Sequence, residues 1–216
     1  MTWAGSPGQS GPKDREKETH MRERNRCFHN ALAVSLFLLL AGIGTIVRAQ
    51  DQQPMTIQAN AMGTSTQMGK MIDINIHIDQ FSTQDDRKAL IDAFNRSGQD
   101  GLRDALEHMK GKGRISTPYG VGNEVKYIIE LPPDKGRRHI RLITDRRIAF
   151  GELYNSTRSA EYDVGAVDLY LTPDGKGSEG TALPACKLKV KKKSQQIEVE
   201  TYQNPWKLNN LRIFKK

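Results

Sequence analysis

The sequence predicts an α+β fold. It is mainly an antiparallel β-sheet of meander and hairpins, with a short two-helix insertion packed on one face and an N-terminal signal or anchor helix. Three observations predict it. In Met71–Ile78 the residues Ile72, Ile74, Ile76 and Ile78 share one face, and Asp73, Asn75 and His77 the other, the two-residue period of a strand with one buried side. After Arg114 similar alternation recurs between turn sequences such as Pro132-Pro133-Asp134-Lys135-Gly136 and Asp174-Gly175, which read as hairpins. Ala31–Val47, ALAVSLFLLLAGIGTIV, is the one long uncharged apolar run.

That run organises the chain. A helix of 17 residues spans about 25 Å, short of a ~30 Å hydrocarbon core. Arg22, Arg24 and Arg26 precede it and Val47-Arg48-Ala49 follows. A positive n-region, an apolar stretch and a small-residue exit form a secretory signal. The favoured reading is cleavage near Ala49, giving a periplasmic or secreted product. The alternative keeps residues 31–47 as a single transmembrane helix, anchored by the arginines with the domain outside. Residues before Met21 make an unusually long n-region, and a start at Met21 in place of Met1 gives a conventional one. The domain reading is therefore 1–49 leader and signal peptide or anchor, 50–70 flexible tether, and 71–216 a single α+β domain.

Removing residues 1–49 leaves 167 residues, enough for one domain with a real core. It also leaves 26 basic against 21 acidic side chains, about +5, a moderate bias that suits solubility or an anionic surface. Cys186 is then the lone cysteine, so no internal disulfide is available and packing must supply stability.

Gln50–Lys70 is polar, holds Pro54, Gly63 and Gly69, and reads as a tether with room to join the sheet near its end. Ser82 or Thr83 caps a helix whose first turn holds Asp85 and Asp86. Leu90, Ala93 and Phe94 form its apolar stripe, Ser97-Gly98 ends it, and Leu102, Ala105, Leu106 and Met109 mark a second helix. Val125, Tyr127, Ile129 and Leu131 read as one face of a strand, returned by Ile140 and Leu142. Val167, Leu169 and Leu171 mark the next strand. Cys186, Leu188 and Val190 alternate with lysines, Ile197 and Val199 follow, and Asn204-Pro205 turns into Trp206–Phe214.

The segment Thr144–Gly180 is similar to one found in uncharacterised exported bacterial proteins. Asp145-Arg146, the Asp163–Leu171 strand and the Asp174-Gly175-Lys176-Gly177 turn carry the likeness, which extends more weakly over Met71–Phe214. It implies an exported bacterial protein and no particular activity.

The motifs exclude more than they assign. Gly63…Gly69-Lys70 has the wrong spacing for a phosphate loop, and no G-x-S-x-G, H-E-x-x-H or paired-cysteine pattern occurs. Accordingly no catalytic residue, cofactor or metal is assigned. His77 and Asp79, two residues apart on one strand face, could share a metal, but the solvated face of an amphipathic strand explains them as well. Cys186 falls among core positions and reads as a small buried residue.

The clearest surface signal is basic. Lys187, Lys189, Lys191, Lys192 and Lys193 form a stripe, and Arg137, Arg138 and Arg141 cluster on a hairpin. Alternate lysines can discourage edge pairing or meet an anionic envelope polymer, lipid head groups or an acidic protein. Export and the lack of an aromatic stacking platform argue against nucleic acid. The functional expectation is a non-enzymatic binding or scaffolding module of the bacterial envelope. The alternatives are a hydrolase or metal-dependent enzyme using the His77/Asp79 face, and a small-ligand carrier with its pocket between sheet and helices.

Overall fold

The computed structural model describes Met1 and residues 53–65, 68–148, 163–191, 196–201 and 204–215. The chain parts into two units, Met1–Ala49 and Gln50–Lys216, and every element below belongs to the second. Among the described residues the strands are β1 Met55–Met62, β2 Met71–Ile78, β3 Gly113–Ser116, β4 Asn123–Asp134, β5 Arg137–Thr144, β6 Val164–Leu171, β7 Glu179–Lys191, β8 Gln196–Thr201 and β9 Trp206–Lys215. One helical element, α1 Gln84–His108, lies between β2 and β3.

The sheet runs β6-β5-β4-β3-β2-β1-β9-β7-β8, and β6 also pairs with β7. That extra pairing closes eight antiparallel strands into a barrel. β8 stands outside the ring and, among the described residues, pairs only with the second half of β7. The sheet of meander and hairpins predicted from the sequence is thus corrected to a closed barrel, because β9 returns to β1 and the first half of β7, and β7 also pairs with β6. β1 falls within the 50–70 segment read as a tether. It is a strand hydrogen-bonded on both edges, to β2 and β9.

Inside the ring pack Ile57, Ala59 and Ala61 of β1, Ile74, Ile76 and Ile78 of β2, and Ile115, Val125, Ile128, Ile140, Leu142, Val167, Leu169, Trp206 and Leu208 of the other strands. Eight strands leave a lumen just wide enough for side chains, and these fill it. Apolar groups face in and polar groups face out on β1 and β2. A barrel embedded in lipid carries the opposite arrangement. No helix among the described residues is long and apolar enough to cross a membrane, and the signal or anchor helix expected at 31–47 lies outside them.

A second apolar cluster lies on the outer wall. Leu90, Leu102 and Leu106 of α1 cover Tyr127, Ile143, Ala166, Leu183, Cys186, Leu188 and Ile197. The central strands of this wall are therefore buried on both faces, which is why β6, VGAVDLYL, lacks polar alternation. The expected single face of Val125, Tyr127 and Ile129 is also corrected. The register shifts between Val125 and Tyr127, so Val125 and Ile128 point into the barrel while Tyr127 and Ile129 lie under α1.

The predicted two-helix insertion is corrected to one helical element with a break. Thr83 caps it, accepting from the Asp86 N–H while the Asp86 carboxylate accepts from the Thr83 N–H. Ser97 and Gly98 are non-helical, and Gly98 sits at φ 60°, a backbone that glycine adopts without steric cost. Gly101 passes so close to the Ala93 carbonyl that a Cβ there would lie 2.5 Å from it. Two buried lysines fasten the ends of α1. Lys112 pairs with Asp86 at 3.0 Å, and Lys126 donates to the Met109 carbonyl at 3.1 Å.

Candidate functional site: the uncovered barrel wall

α1 covers one side of the barrel. Among the described residues, no helix covers the wall of β3, β2, β1 and β9. Strand alternation sends Thr56, Gln58, Asn60 and Met62 outward from β1, and Met71, Asp73, Asn75 and His77 outward from β2. The register sets Asn60 against Asp73, Gln58 against Asn75 and Thr56 against His77. On the other side Gln58 faces Arg212. The pairing of β1 with β9 is irregular between Gln58 and Asn60. There Asn210 takes φ 55°, an uncommon backbone for a residue with a side chain, though asparagine tolerates it. A bulge of this kind re-aims side chains. Here it brings Asn210 Nδ2 within 2.8 Å of Asn60 Oδ1, and Asn60 Nδ2 in turn donates to Asp73 Oδ1 at 2.6 Å.

These side chains line a groove of about 590 Å³, with Gln58, Asn60, Asp73, Asn75, Asn210 and Arg212 as its polar wall and Pro118 at its edge. The neighbouring Tyr119 is fully exposed. A smaller cleft of about 170 Å³ lies between the start of α1 and the barrel, lined by Phe81, Arg87, Tyr127, Ile129 and Ile197 among others. Burial pushes the Tyr127 phenol up to about 12.

The residues singled out in the sequence fall in four places. His77 lies on the bare wall, where its Nδ1 is 3.0 Å from Thr56 Oγ1. Asp79 lies past the end of β2, where its N–H donates to the Lys112 carbonyl. No group of three His, Cys, Asp or Glu side chains able to hold a metal occurs among the described residues.

The arginine cluster lies on β5, and its charges are satisfied internally. Arg137 binds Asp134 and Glu179 at 2.9 and 2.5 Å and lies over the Tyr170 ring. Arg138 binds Glu130 at 2.9 Å and lies over Phe81. Arg141 makes two bonds to Asp168, at 2.7 and 2.9 Å. His139 stacks on Tyr170 and also meets Asp168, at 3.3 Å. The lysine stripe lies on β7. Lys189 pairs with Glu200 at 2.7 Å and Lys191 with Glu198 at 3.0 Å across the β7–β8 hairpin, and Lys187 stands opposite Glu200 in register. Lys192 and Lys193 lie outside the described residues. Cys186 is buried, and burial raises its thiol pKa to about 12, which keeps it protonated and unreactive at neutral pH.

The hairpin pairs are more than half exposed on the lysine side, and exposed pairs contribute about 0–1 kcal/mol. Lys189→Ala is therefore expected to shift urea-unfolding stability by less than about 1 kcal/mol. A loss well above that value would show that the hairpin pairing is structural.

Sequence reasoning missed Gln58, Asn60, Asn210 and Arg212. The alternation of Ile57, Ala59 and Ala61 was the signal for the first two; none marked the bulge at Asn210. The fold and groove define the molecule as a filled, closed antiparallel barrel with one helix-covered wall and one polar, open wall. No family model, curated protein sequence or solved structure matches the chain.

Proposed function

We propose that the protein is an exported, non-enzymatic binding or scaffolding module of the bacterial cell envelope that meets its partner through the wall of β3, β2, β1 and β9. The observation that carries this reading is the asymmetry of the barrel exterior. One wall is apolar and sealed by α1, whereas the other holds a groove of about 590 Å³ lined by side chains rich in hydrogen-bonding groups. Such a volume lies within the ~300–1,000 Å³ typical of ligand sites. The positive, apolar and small-residue succession over residues 22–49 and the likeness of Thr144–Gly180 to exported bacterial proteins support delivery outside the cytoplasm.

The ion pairs on β5 and β7 favour, in this reading, a contact surface away from the basic residues. Charges already paired within the protein offer an anionic envelope polymer, lipid head groups or an acidic protein little net attraction. A carrier role is supported by the cleft under α1, but at about 170 Å³ it is much the smaller space.

Isolated envelopes provide the test. Protein recovered from them should begin at Gln50. It should sediment with them, and Asn60→Ala combined with Asn75→Ala should weaken its affinity for them about tenfold, the effect of losing roughly 1.4 kcal/mol. Lys189→Ala with Lys191→Ala should leave it unchanged. The reverse pattern sinks the assignment and restores the anionic-partner surface.

A further inference from the structure

We infer that the groove on the uncovered wall takes a neutral, hydroxyl-rich oligosaccharide. This rests on that wall being the contact surface, and it names the chemistry the wall recognises.

The polar groups of the groove are partly pre-arranged. Asn210 donates to Asn60 and Asn60 donates to Asp73, so one relay holds three side chains in place before a ligand arrives. Pre-orientation reduces the entropy lost on binding. The relay uses Asp73 Oδ1 and leaves Oδ2 as an acceptor. Among the described residues, no side-chain hydrogen bond or ion pair engages Gln58, Asn75 or Arg212. The open functions of the groove are thus a carboxylate oxygen, a five-donor guanidinium, and carboxamides that both donate and accept.

This set matches a hydroxyl array better than it matches an ion. A hydroxyl donates one bond and accepts others, so neighbouring hydroxyls on a ring can give to Asp73 and receive from Arg212 together. A polyanion gains from Arg212 but meets the Asp73 carboxylate in the same groove, and a polycation meets the converse. One acidic and one basic side chain leave the lining with no net charge. The groove also has an apolar margin. Pro118 lines it, and Tyr119, the next residue in the chain and outside the lining itself, is fully exposed and within a side chain's swing of Pro118. The electron-rich face of a phenol ring attracts polarised C–H groups, which a pyranose presents on its flat faces.

The experiment titrates ¹⁵N-labelled full-length protein with fully N-acetylated chitotetraose, a neutral tetrasaccharide, and separately with tetragalacturonate, which carries a carboxylate on each ring. Chitotetraose should shift the amide resonances of Asn60, Asp73, Asn75 and Asn210. Asn60→Ala should weaken its binding about tenfold. Tyr119→Ala should weaken it several-fold while the melting temperature stays unchanged, since a fully exposed side chain contributes no packing, and a loss in that variant is therefore not a folding defect. Three results overturn the inference: no groove shifts with chitotetraose, tighter binding of tetragalacturonate, or binding indifferent to both variants. If any of these occurs while Asn60→Ala with Asn75→Ala still weakens envelope retention about tenfold, the wall remains the contact surface and only the ligand class is refuted. If retention is also untouched, the contact surface itself is misassigned.

Discussion

Asp168→Ala is expected to destabilise the barrel by about 3–5 kcal/mol, the usual cost of removing one partner from a buried ion pair. Asp168 and Arg141 stand opposite each other on β6 and β5, and their side chains are only 10% and 15% exposed. Arg141 sits beside the apolar cluster that α1 covers. The two parallel bonds from its guanidinium to the carboxylate satisfy a charge that solvent barely reaches. Alanine at 168 leaves that charge buried without its counter-ion and removes an acceptor from His139. The double variant Arg141→Met with Asp168→Leu deletes both charges while keeping volume. Because matched apolar replacement of a buried pair is often neutral or stabilising, the double variant should recover most of the loss. Urea unfolding at neutral pH measures both. If Asp168→Ala alone costs under about 1 kcal/mol, the pair behaves as an exposed one and Arg141 counts again as a surface cation.

That pair also shows what a sequence reading of the basic surface leaves out. Composition counts charges but does not say which of them meet. In β7 the lysines alternate with Cys186, Leu188 and Val190, and in β8 the acids Glu198 and Glu200 flank Val199. Joined antiparallel, the two arms set lysine against glutamate. The signal was present, but it required reading two strands as one hairpin. Arg141 and Asp168 are 27 residues apart, and nothing local marks them as partners.

The strand periods were legible wherever one face is buried and the other solvated, as in β2. They failed where that premise fails. β4 carries the extra residue of a bulge, so its period changes phase at Lys126. The adjacent Ile128 and Ile129 are the trace of a strand buried on both sides. β1 escaped notice because its inward positions include Ala59 and Ala61, small residues whose hydrophobic signal is weak. Closure could not be read locally at all. Met55 pairs with Lys215, and the choice of β1 as the partner of β9 is made by the assembled sheet. The β2 side of the groove was consequently visible, through Asp73 and Asn75, while the rest waited on β1 and β9 being placed side by side.

Asp86→Ala is expected to cost about 3 kcal/mol or more, because one carboxylate serves two structures. It completes the capping box with Thr83, and loss of a cap costs about 0.5–2 kcal/mol. It also neutralises Lys112, whose side chain is 7% exposed and whose ammonium lies 3.0 Å away; stranding such a buried charge costs more than losing the cap. Lys112→Met should cost less than Asp86→Ala, since it removes the buried charge, keeps the apolar stem and leaves the cap intact. Burial alone would raise the Asp86 pKa, but bonds from the Thr83 N–H and from Lys112 outweigh it and hold the group below its ordinary 3.8. A carboxylate with a depressed folded-state pKa gives its full stabilisation above the unfolded value. That stabilisation is lost as pH falls past 3.8 and through the lower folded value. The stability gap between the native protein and Asp86→Asn should therefore be widest near neutrality and close in acid, where the native side chain is itself protonated. Urea midpoints measured from neutral pH down through the carboxylate range trace this gap. A gap that stays constant with pH would falsify the electrostatic account, leaving Asp86 a hydrogen-bonding cap whose charge does not matter.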